Sequence, residues 1–412
     1  MTYGLLGEKL SHSYSPEIHK ELGDYDYRLY NVAPEELESF LLTGDFQGLN
    51  VTIPYKKAVI PFCAELSPLA RKIGSVNTII RREDGTLFGD NTDYFGFAYM
   101  AEKAGISFAD KKILVLGSGG TFLTAKAVME DADAREIVLV SRTGEVNYSN
   151  LNLHTDADII VNTTPIGMYP DNGEKLLTLS DFPKCSGVID VIYNPMSTAL
   201  ILEAKKLNIP CTGGFPMLVA QAVKSAELFT GKDIPDYRTG EIIHKLANKV
   251  FNLILIGMPG AGKTSIGAEI AKILRKPFLD MDTIIAEEAG KSIPEIFATQ
   301  GEGAFREMEK DLAAKIGKER GAVIATGGGS ILNPLNQDAL MQNGKIYFIE
   351  RELSLLARDG RPLSKDLETL QKMYEERLPI YNACADAKMQ NDKTIIDAAV
   401  KIAEDFCENI GD

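Results

Sequence analysis

The segment Gly257-Met258-Pro259-Gly260-Ala261-Gly262-Lys263-Thr264 fits the phosphate-loop pattern G-x-x-x-x-G-K-[ST] at every fixed position. Before it runs Phe251-Asn252-Leu253-Ile254-Leu255-Ile256, apolar enough for one buried strand. After it, Ser265 to Leu274 repeats apolar residues at helical spacing. Strand, glycine loop and helix are the context the motif requires. Glycines let successive backbone N–H groups turn toward phosphate oxygens, and the helix N-terminus adds positive potential. Gly260, Ala261 and Gly262 would line the phosphates, Lys263 would reach the outer ones, and the Thr264 hydroxyl would take Mg²⁺. Such a loop stands near the start of its domain. Some 250 residues precede it here, enough for something complete in front.

A length of 412 residues predicts two or three domains. The composition is that of a soluble globular chain, 45% hydrophobic and 25% charged. A formal net charge of −14 argues against a nucleic-acid partner, so local basic residues must meet any anionic ligand. Five scattered cysteines and four histidines make no metal-ligand spacing and read as reduced thiols and ordinary side chains. No signal-peptide core and no apolar run of membrane-spanning length occurs, so a cytoplasmic chain without a membrane partner is expected. Oligomeric state is not legible.

From Met1 to about Ala98, short strands at Tyr3–Leu6, Tyr27–Val32, Leu49–Ile53 and Val76–Ile80 alternate with helices at Glu35–Leu42 and Ile60–Ile73. The alternation predicts an α/β layer with a mainly parallel sheet. Asp84-Gly85 predicts a hairpin turn. Three polar clusters fall at element ends: Ser11 to His19, Asn50 to Lys57, and Ser75 to Thr78 with Gly89 to Asp93. Hydroxyls, amides, one lysine and one carboxylate are what a small polyol acid would need. Caps and turns explain the same residue types equally well.

These clusters resemble the substrate-domain motifs of shikimate dehydrogenase, HSxSPxxH, NVTxPxK, (A/S)VNT and NTD(x)xG, in family order and spacing. The resemblance implies that Ser13 and Ser15 hold the substrate carboxylate, that Thr52, Asn77 and Gln221 contact its hydroxyls, and that Lys56 and Asp93 form the catalytic pair. A ketone taking hydride develops negative charge on oxygen, which an ammonium can stabilise and protonate.

From about Tyr99 to Lys249, the strand Lys111–Leu116 ends in Gly117-Ser118-Gly119-Gly120 and a helix near Thr121–Glu130 follows, the opening of a Rossmann-like domain. Phe122 stands where the third glycine would fall. The next strand, Glu136–Val140, ends in Ser141-Arg142-Thr143 instead of an acid, which suits the 2′-phosphate of NADP. An exposed arginine capping a strand is a fair competitor for Arg142 alone; the glycine turn one strand earlier favours the cofactor reading. Only Gly144 to Ala157 precede the Asp158 strand, too few for a full crossover. Thr163 to Met168, Tyr193-Asn194-Pro195 and Gly213 to Ala222 also match the dehydrogenase family, which places Gly214 at the cofactor. Residues 1–98 with 216–249 are expected to form the substrate domain, and 99–215 a shortened NADP domain.

Residues 251–412 follow with no Pro/Gly/Ser-rich linker. Pro277-Phe278-Leu279-Asp280-Met281-Asp282 reads as a strand ending in two carboxylates on one face. With Gly301 to Arg306, Gly327-Gly328-Gly329, Arg361-Pro362-Leu363 and Arg377 with Tyr381, this segment resembles shikimate kinase throughout (DxD, GExxFR, GGG, RPL, RxPxY), a P-loop α/β domain with a parallel sheet. The resemblance implies that Asp280 helps hold Mg²⁺ and that Asp282 binds the acceptor hydroxyl as its base. Arg306 and Arg377 would clamp the shikimate carboxylate, Gly328 and Gly329 would lie against the ring, and Arg361 would neutralise the transferring phosphoryl group.

The expectation is therefore a fusion that reduces 3-dehydroshikimate to shikimate with NADP(H), then phosphorylates shikimate with ATP and Mg²⁺. Two alternatives stay open: an NAD-linked quinate/shikimate dehydrogenase on the same kinase, and a non-catalytic shikimate-binding module feeding it. Residue patterns alone give a dinucleotide-linked domain plus an ATP-dependent phosphotransferase.

Overall fold

The computed structural model describes residues 2–10, 13–356 and 367–410. The chain divides into two compact units, Met1–Ile243 and His244–Asp412. The division falls inside the helix Tyr237–Val250.

The first unit holds two sheets. One has six strands in the spatial order Asp26–Asn31, Thr2–Gly7, Gly48–Val51, Thr78–Arg81, Leu87–Asp90, Glu65–Leu66. Three of its five strand pairs are parallel, as the alternation predicts, and two are antiparallel. Gly48–Val51, Thr78–Arg81 and Leu87–Asp90 pair antiparallel in succession, and the tight turn at Gly85 (φ +84°) sends the chain straight back between the last two. The expected helix Ile60–Ile73 is broken into a 3₁₀ turn at Ile60–Phe62, a two-residue strand and the helix Pro68–Ile73. Pro68 cannot donate to a preceding turn, and the Ser67 hydroxyl accepts the Ala70 N–H (3.0 Å) to start a new helix there.

The second sheet is wholly parallel: Cys211–Thr212, Gly187–Asp190, Ile159–Asn162, Lys112–Leu116, Glu136–Val140. Its residues alternate between two buried clusters. Ile113 and Val115 face Phe97, Met129 and Met217, while Leu114 and Leu116 face Val140, Leu151 and Leu200. A sheet covered on both faces reads as an unbroken apolar run for this reason. Phe122 lies in the first of these clusters, as part of the core under the glycine turn. Between Glu136–Val140 and Ile159–Asn162, the place of a crossover helix is taken by one 3₁₀ turn, Leu151–His154, whose Leu151 supplies the buried contact.

Two long helices, Asp93–Lys103 and Phe215–Thr230, pack on each other. They approach closely at Gly96, where an added Cβ would stand 2.6 Å from the Met217 carbonyl and 3.0 Å from Gln221 Cβ.

The second unit is a five-stranded parallel sheet ordered Phe278–Asp280, Val323–Ala325, Asn252–Ile256, Gly344–Glu350, Ala387–Gln390. Asn252–Ile256 is central and buried along its whole length. The glycine loop leaves its carboxyl end and enters the helix Lys263–Leu274. The helix Ile293–Ile316 is interrupted at Gly301 (φ 84°, ψ 169°), so residues 302–316 start a fresh direction.

Gly96→Ala should lower thermal stability by about 1–3 kcal/mol through overpacking. It should also depress the reaction at Asp93 and Gln221, on the same two helices, and leave the phosphate-loop unit unchanged. A calorimetric melt with both unit activities checks this.

Candidate active sites

One cavity of about 190 Å³ in the first unit gathers Ser13, Ser15, Thr52, Lys56, Asn77, Asp93 and Gln221. They come from separate elements. Ser15 opens the helix Ser15–Leu22, Thr52 follows the strand Gly48–Val51, and Asn77 precedes the strand Thr78–Arg81. Asp93 opens its helix, where the positive end of the backbone dipoles favours its charge. Lys56 Nζ donates to Asp93 Oδ2 at 2.6 Å, with the lysine side chain 23% and the aspartate 12% exposed. A pair this sheltered interacts more strongly than one in open water.

The cavity floor is set by buried polar bonds. Asn77 Oδ1 accepts the Thr92 N–H (2.6 Å) and its Nδ2 donates to Thr92 Oγ1 (3.0 Å), which ties the strand to the turn before Asp93. The Ser13 hydroxyl donates to Ser15 Oγ (3.0 Å) and accepts the Ser15 N–H (3.1 Å). Gln221 Nε2 donates to the Leu218 carbonyl (2.9 Å).

Two cavity residues escaped sequence reasoning. Asn50 is buried; its Oδ1 accepts the Tyr27 hydroxyl (2.7 Å) and lies 3.0 Å from His19 Nε2, while its Nδ2 has no partner. His19 stacks on Tyr27 (centroids 3.9 Å apart), and burial pushes its imidazole down to about 3, so it is neutral and structural. Tyr193 also lines the cavity. Both stood inside quoted motifs, and only the folded positions show that they face the cavity.

Thr121 and Gly214 also line this cavity, which brings the glycine turn to its edge. Gly117 has φ +99°, a backbone that side-chain-bearing residues avoid, and a Cβ there would stand 2.6 Å from Thr164 Cγ2. At Gly119 and Gly120 an added Cβ would meet nothing within 4 Å, and the helix Gly120–Asp131 begins with no side-chain cap. Open space over an uncapped helix start fits a dinucleotide pyrophosphate. The backbone must pass close at Gly214, where a Cβ would lie 2.0 Å from the Val191 carbonyl. Arg142 and Thr143 are exposed beyond their strand, and Ser141 N–H is taken by the Val146 carbonyl (3.1 Å).

In the second unit Gly260 (φ 86°) and Gly262 (φ 99°) shape the loop, with Ala261 buried between them. Asn391 Nδ2 donates to the Ala261 carbonyl (2.7 Å) and holds the loop from the far side. Lys263 Nζ donates to the carbonyls of Gly257 (2.9 Å) and Met258 (3.0 Å). The Thr264 hydroxyl donates to Asp280 Oδ2 (2.7 Å), which sets two hard oxygen donors side by side. The strand ends at Asp280, so the expectation of two carboxylates on one strand face fails. Asp280 instead caps the helix Met281–Ala289 by accepting the Thr283 N–H (3.0 Å), and Asp282 lies in its first turn. Asp282 still faces the glycine run, since a Cβ on Gly327 would stand 2.7 Å from its Oδ1.

Arg306 Nη1 donates to Glu309 Oε2 (2.5 Å), and its guanidinium lies against Gly329, where a Cβ would be 2.6 Å away. Arg377 Nη1 (3.1 Å) and the Tyr381 hydroxyl (2.6 Å) both donate to the Gly328 carbonyl. Glu309 is buried with Oε1 unpartnered, and burial pushes its carboxyl up despite Arg306. It sits three residues after Arg306, one helical turn on, a spacing that could have singled it out. Arg361, and Arg358 beside it, lie outside the described residues.

Among the described residues no cluster of three or more His, Cys, Asp or Glu could hold a metal, and no helix is long and apolar enough to cross a membrane. Mg²⁺ does not need such a cluster, because it keeps water and takes phosphate oxygens beside one or two protein oxygens. The Thr264–Asp280 pair fits that donor set.

A glycine turn opening onto a sheltered Lys–Asp pair defines a dinucleotide-linked oxidoreductase, and the second unit is a P-loop phosphotransferase. Residues 5–79 match the family model for the shikimate dehydrogenase substrate binding domain, and 259–408 that for shikimate kinase. The shikimate dehydrogenase (NADP(+)) of Clostridium perfringens (strain 13 / Type A) is 35% identical over 266 residues, 59% of this chain and 97% of that one. That of Clostridium beijerinckii is 38% identical over 247 residues, 55% and 91% of the two chains. A chorismate mutase/shikimate 5-dehydrogenase fusion protein from Clostridium acetobutylicum superposes with a TM-score of 0.56 at 35% identity, over 60% of this chain and 96% of that one. The chain belongs to the shikimate dehydrogenase family and carries a shikimate kinase domain behind it. It is a bifunctional shikimate-pathway enzyme, oxidoreductase and kinase in one polypeptide.

Glu309→Gln should loosen Arg306, raise the KM for shikimate by about tenfold in the kinase assay, and leave the reductase constants unchanged. Steady-state kinetics on both reactions read this out.

Proposed function

We propose that Lys56 and Asp93 carry the reduction of 3-dehydroshikimate to shikimate with NADPH, and that the second unit then transfers the γ-phosphoryl group of ATP to shikimate with Mg²⁺. The observation that carries the reading is the 2.6 Å Lys56–Asp93 pair inside a cavity of hydroxyls and amides beside the glycine turn. Residues 1–98 with 216–249 serve as substrate domain and 99–215 as cofactor domain in this reading.

Ser13 and Ser15 receive the substrate carboxylate, while Thr52, Asn77 and Gln221 receive ring hydroxyls. Gly117, Gly119, Gly120 and Gly214 would hold the reduced dinucleotide, which when bound would supply hydride for the ketone carbon. Lys56 stabilises the charge that develops on the ketone oxygen and gives it a proton. Asp93 holds the lysine in place through their 2.6 Å bond. Ser141, Arg142 and Thr143 stand at the strand end where a 2′-phosphate would lie, and an exposed guanidinium suits that dianion.

In the kinase, Gly260, Ala261, Gly262, Lys263 and Thr264 hold ATP, with Arg361 assigned to the same role. Mg²⁺, held by Thr264 and Asp280, would offset charge on the transferring phosphates. Arg306 and Arg377 take the shikimate carboxylate beside Gly328 and Gly329. Asp282 accepts the proton of the attacking hydroxyl as the phosphoryl group moves to it and ADP leaves. The substrates are small molecules, and five free thiols suit a cytoplasmic setting.

NADPH oxidation with 3-dehydroshikimate, repeated with NADH, tests the reading; preference for NADH would point to an NAD-linked dehydrogenase instead. Lys56→Ala should lower the reduction rate at least ~100-fold and spare phosphorylation. Lys263→Ala should do the converse. Near-normal reduction in the first variant, or persisting kinase turnover in the second, would overturn the corresponding assignment.

A further inference from the structure

Asp190 is fully buried at the carboxyl end of the strand Gly187–Asp190, and no step above uses it. Its register partner on the neighbouring strand is Asn162. The hydrogen-bond directions around it are fixed by chemistry. Thr164 N–H can only donate, and it donates to Asn162 Oδ1 (3.0 Å). Asn162 Nδ2 must then face the other way, and it donates to Asp190 Oδ1 (3.1 Å). The Ile192 N–H donates to the same oxygen (3.0 Å), and the Thr198 hydroxyl donates to Oδ2 (2.7 Å). Burial pushes the carboxyl up to about 6, and these three donors pull against that, so the group is mostly ionised at neutral pH.

Two loops leave these strand ends. The Thr163 hydroxyl donates to the carbonyls of Leu116 (2.8 Å) and Gly117 (3.1 Å), so the first loop is fastened to the dinucleotide turn. The second passes through Ile192 to Tyr193, in the wall of the substrate cavity. Asp190 is the group both loops share.

We propose that Asp190 is a positioning residue for the reduction, which holds the Tyr193 wall of the substrate cavity in register with the Gly117 cofactor turn through Asn162 and Ile192. The inference rests on the reductase reading above. It touches neither substrate nor cofactor, so its removal should disturb alignment more than substrate binding.

The test compares the wild-type chain with Asp190→Ala and Asp190→Asn. Alanine removes the oxygen that Asn162 and Ile192 share. In the asparagine variant the amide oxygen can stand in for Oδ1 and accept both donors, with its NH2 turned to the Thr198 hydroxyl. Asp190→Ala should lower kcat for 3-dehydroshikimate by at least about tenfold, with KM changed less than threefold. NADPH binding, read by its fluorescence, should weaken. Asp190→Asn should keep most of both, and kinase constants should stay put in all three.

Wild-type constants in Asp190→Ala, or a loss of kcat in Asp190→Asn as deep as in the alanine variant while its thermal melt matches the wild type, would overturn the proposal. Should the alanine variant fail to fold, Asn162→Ala, which cuts the same link from the neighbouring strand, decides by the same kcat and NADPH readouts. No NADPH turnover in the wild type would count against the reductase reading instead, and the NADPH titration across the variants would still decide whether Asp190 orders the cofactor turn.

Discussion

Parallel strands all deliver the chain to the same edge, and there the backbone has N–H groups to spare. Both units are built around this constraint. In each, a buried strand ends in a glycine turn that opens a helix: Lys112–Leu116 before Gly117, and Asn252–Ile256 before Gly257. Everything that must meet a phosphate is therefore carried at one edge of a sheet, on loops whose geometry the sheet dictates. The rest of each site is what neighbouring strand ends can reach. Tyr193 follows the next strand but one in the first unit, and Asp280 and the Gly327 run follow adjacent strands in the second.

The reductase cavity adds a second constraint. Its aspartate and one of its amides stand on two helices, Asp93–Lys103 and Phe215–Thr230, pressed together at Gly96. The opposing groups, Ser13, Thr52 and Lys56, come from the mixed sheet. Helix contact and sheet register thus set one distance, between Lys56 and Asp93. The buried bonds of Asn77 to the turn before Asp93 link the two, so the pair is fixed from both sides.

Much of this was legible in the sequence, because the motifs are short-range objects. A glycine turn, a capped helix start or a hairpin on Asp84-Gly85 is encoded within a few residues. The spans that misled were those where tertiary demands competed. Ile60–Ile73 has helical spacing, but Pro68 and the Ser67 cap break it and let Glu65–Leu66 join the sheet edge. Asp280 and Asp282 look like strand neighbours, yet the strand stops at Asp280, two residues earlier, because Asp280 caps a helix. Asn50, Tyr193 and Asp190 became functional candidates only in three dimensions: Asn50 by an amide nitrogen without a partner, Tyr193 by its place in the cavity wall, and Asp190 by a donor on the neighbouring strand. The missing crossover was readable from residue count, and its structural answer, a single turn that buries Leu151, was not.

The phosphate-loop lysine carries one more consequence. Its ammonium rests on the Gly257 and Met258 carbonyls, sealed to a few per cent exposure. The loop thus holds a cation of its own before any nucleotide arrives. An incoming phosphate competes with the enzyme's own backbone for that charge, and the affinity measured for ATP is the difference between two occupancies of one ammonium. Such self-occupancy favours ligands dense enough in negative charge to draw the lysine away, so the loop discriminates by charge before any group reads the base.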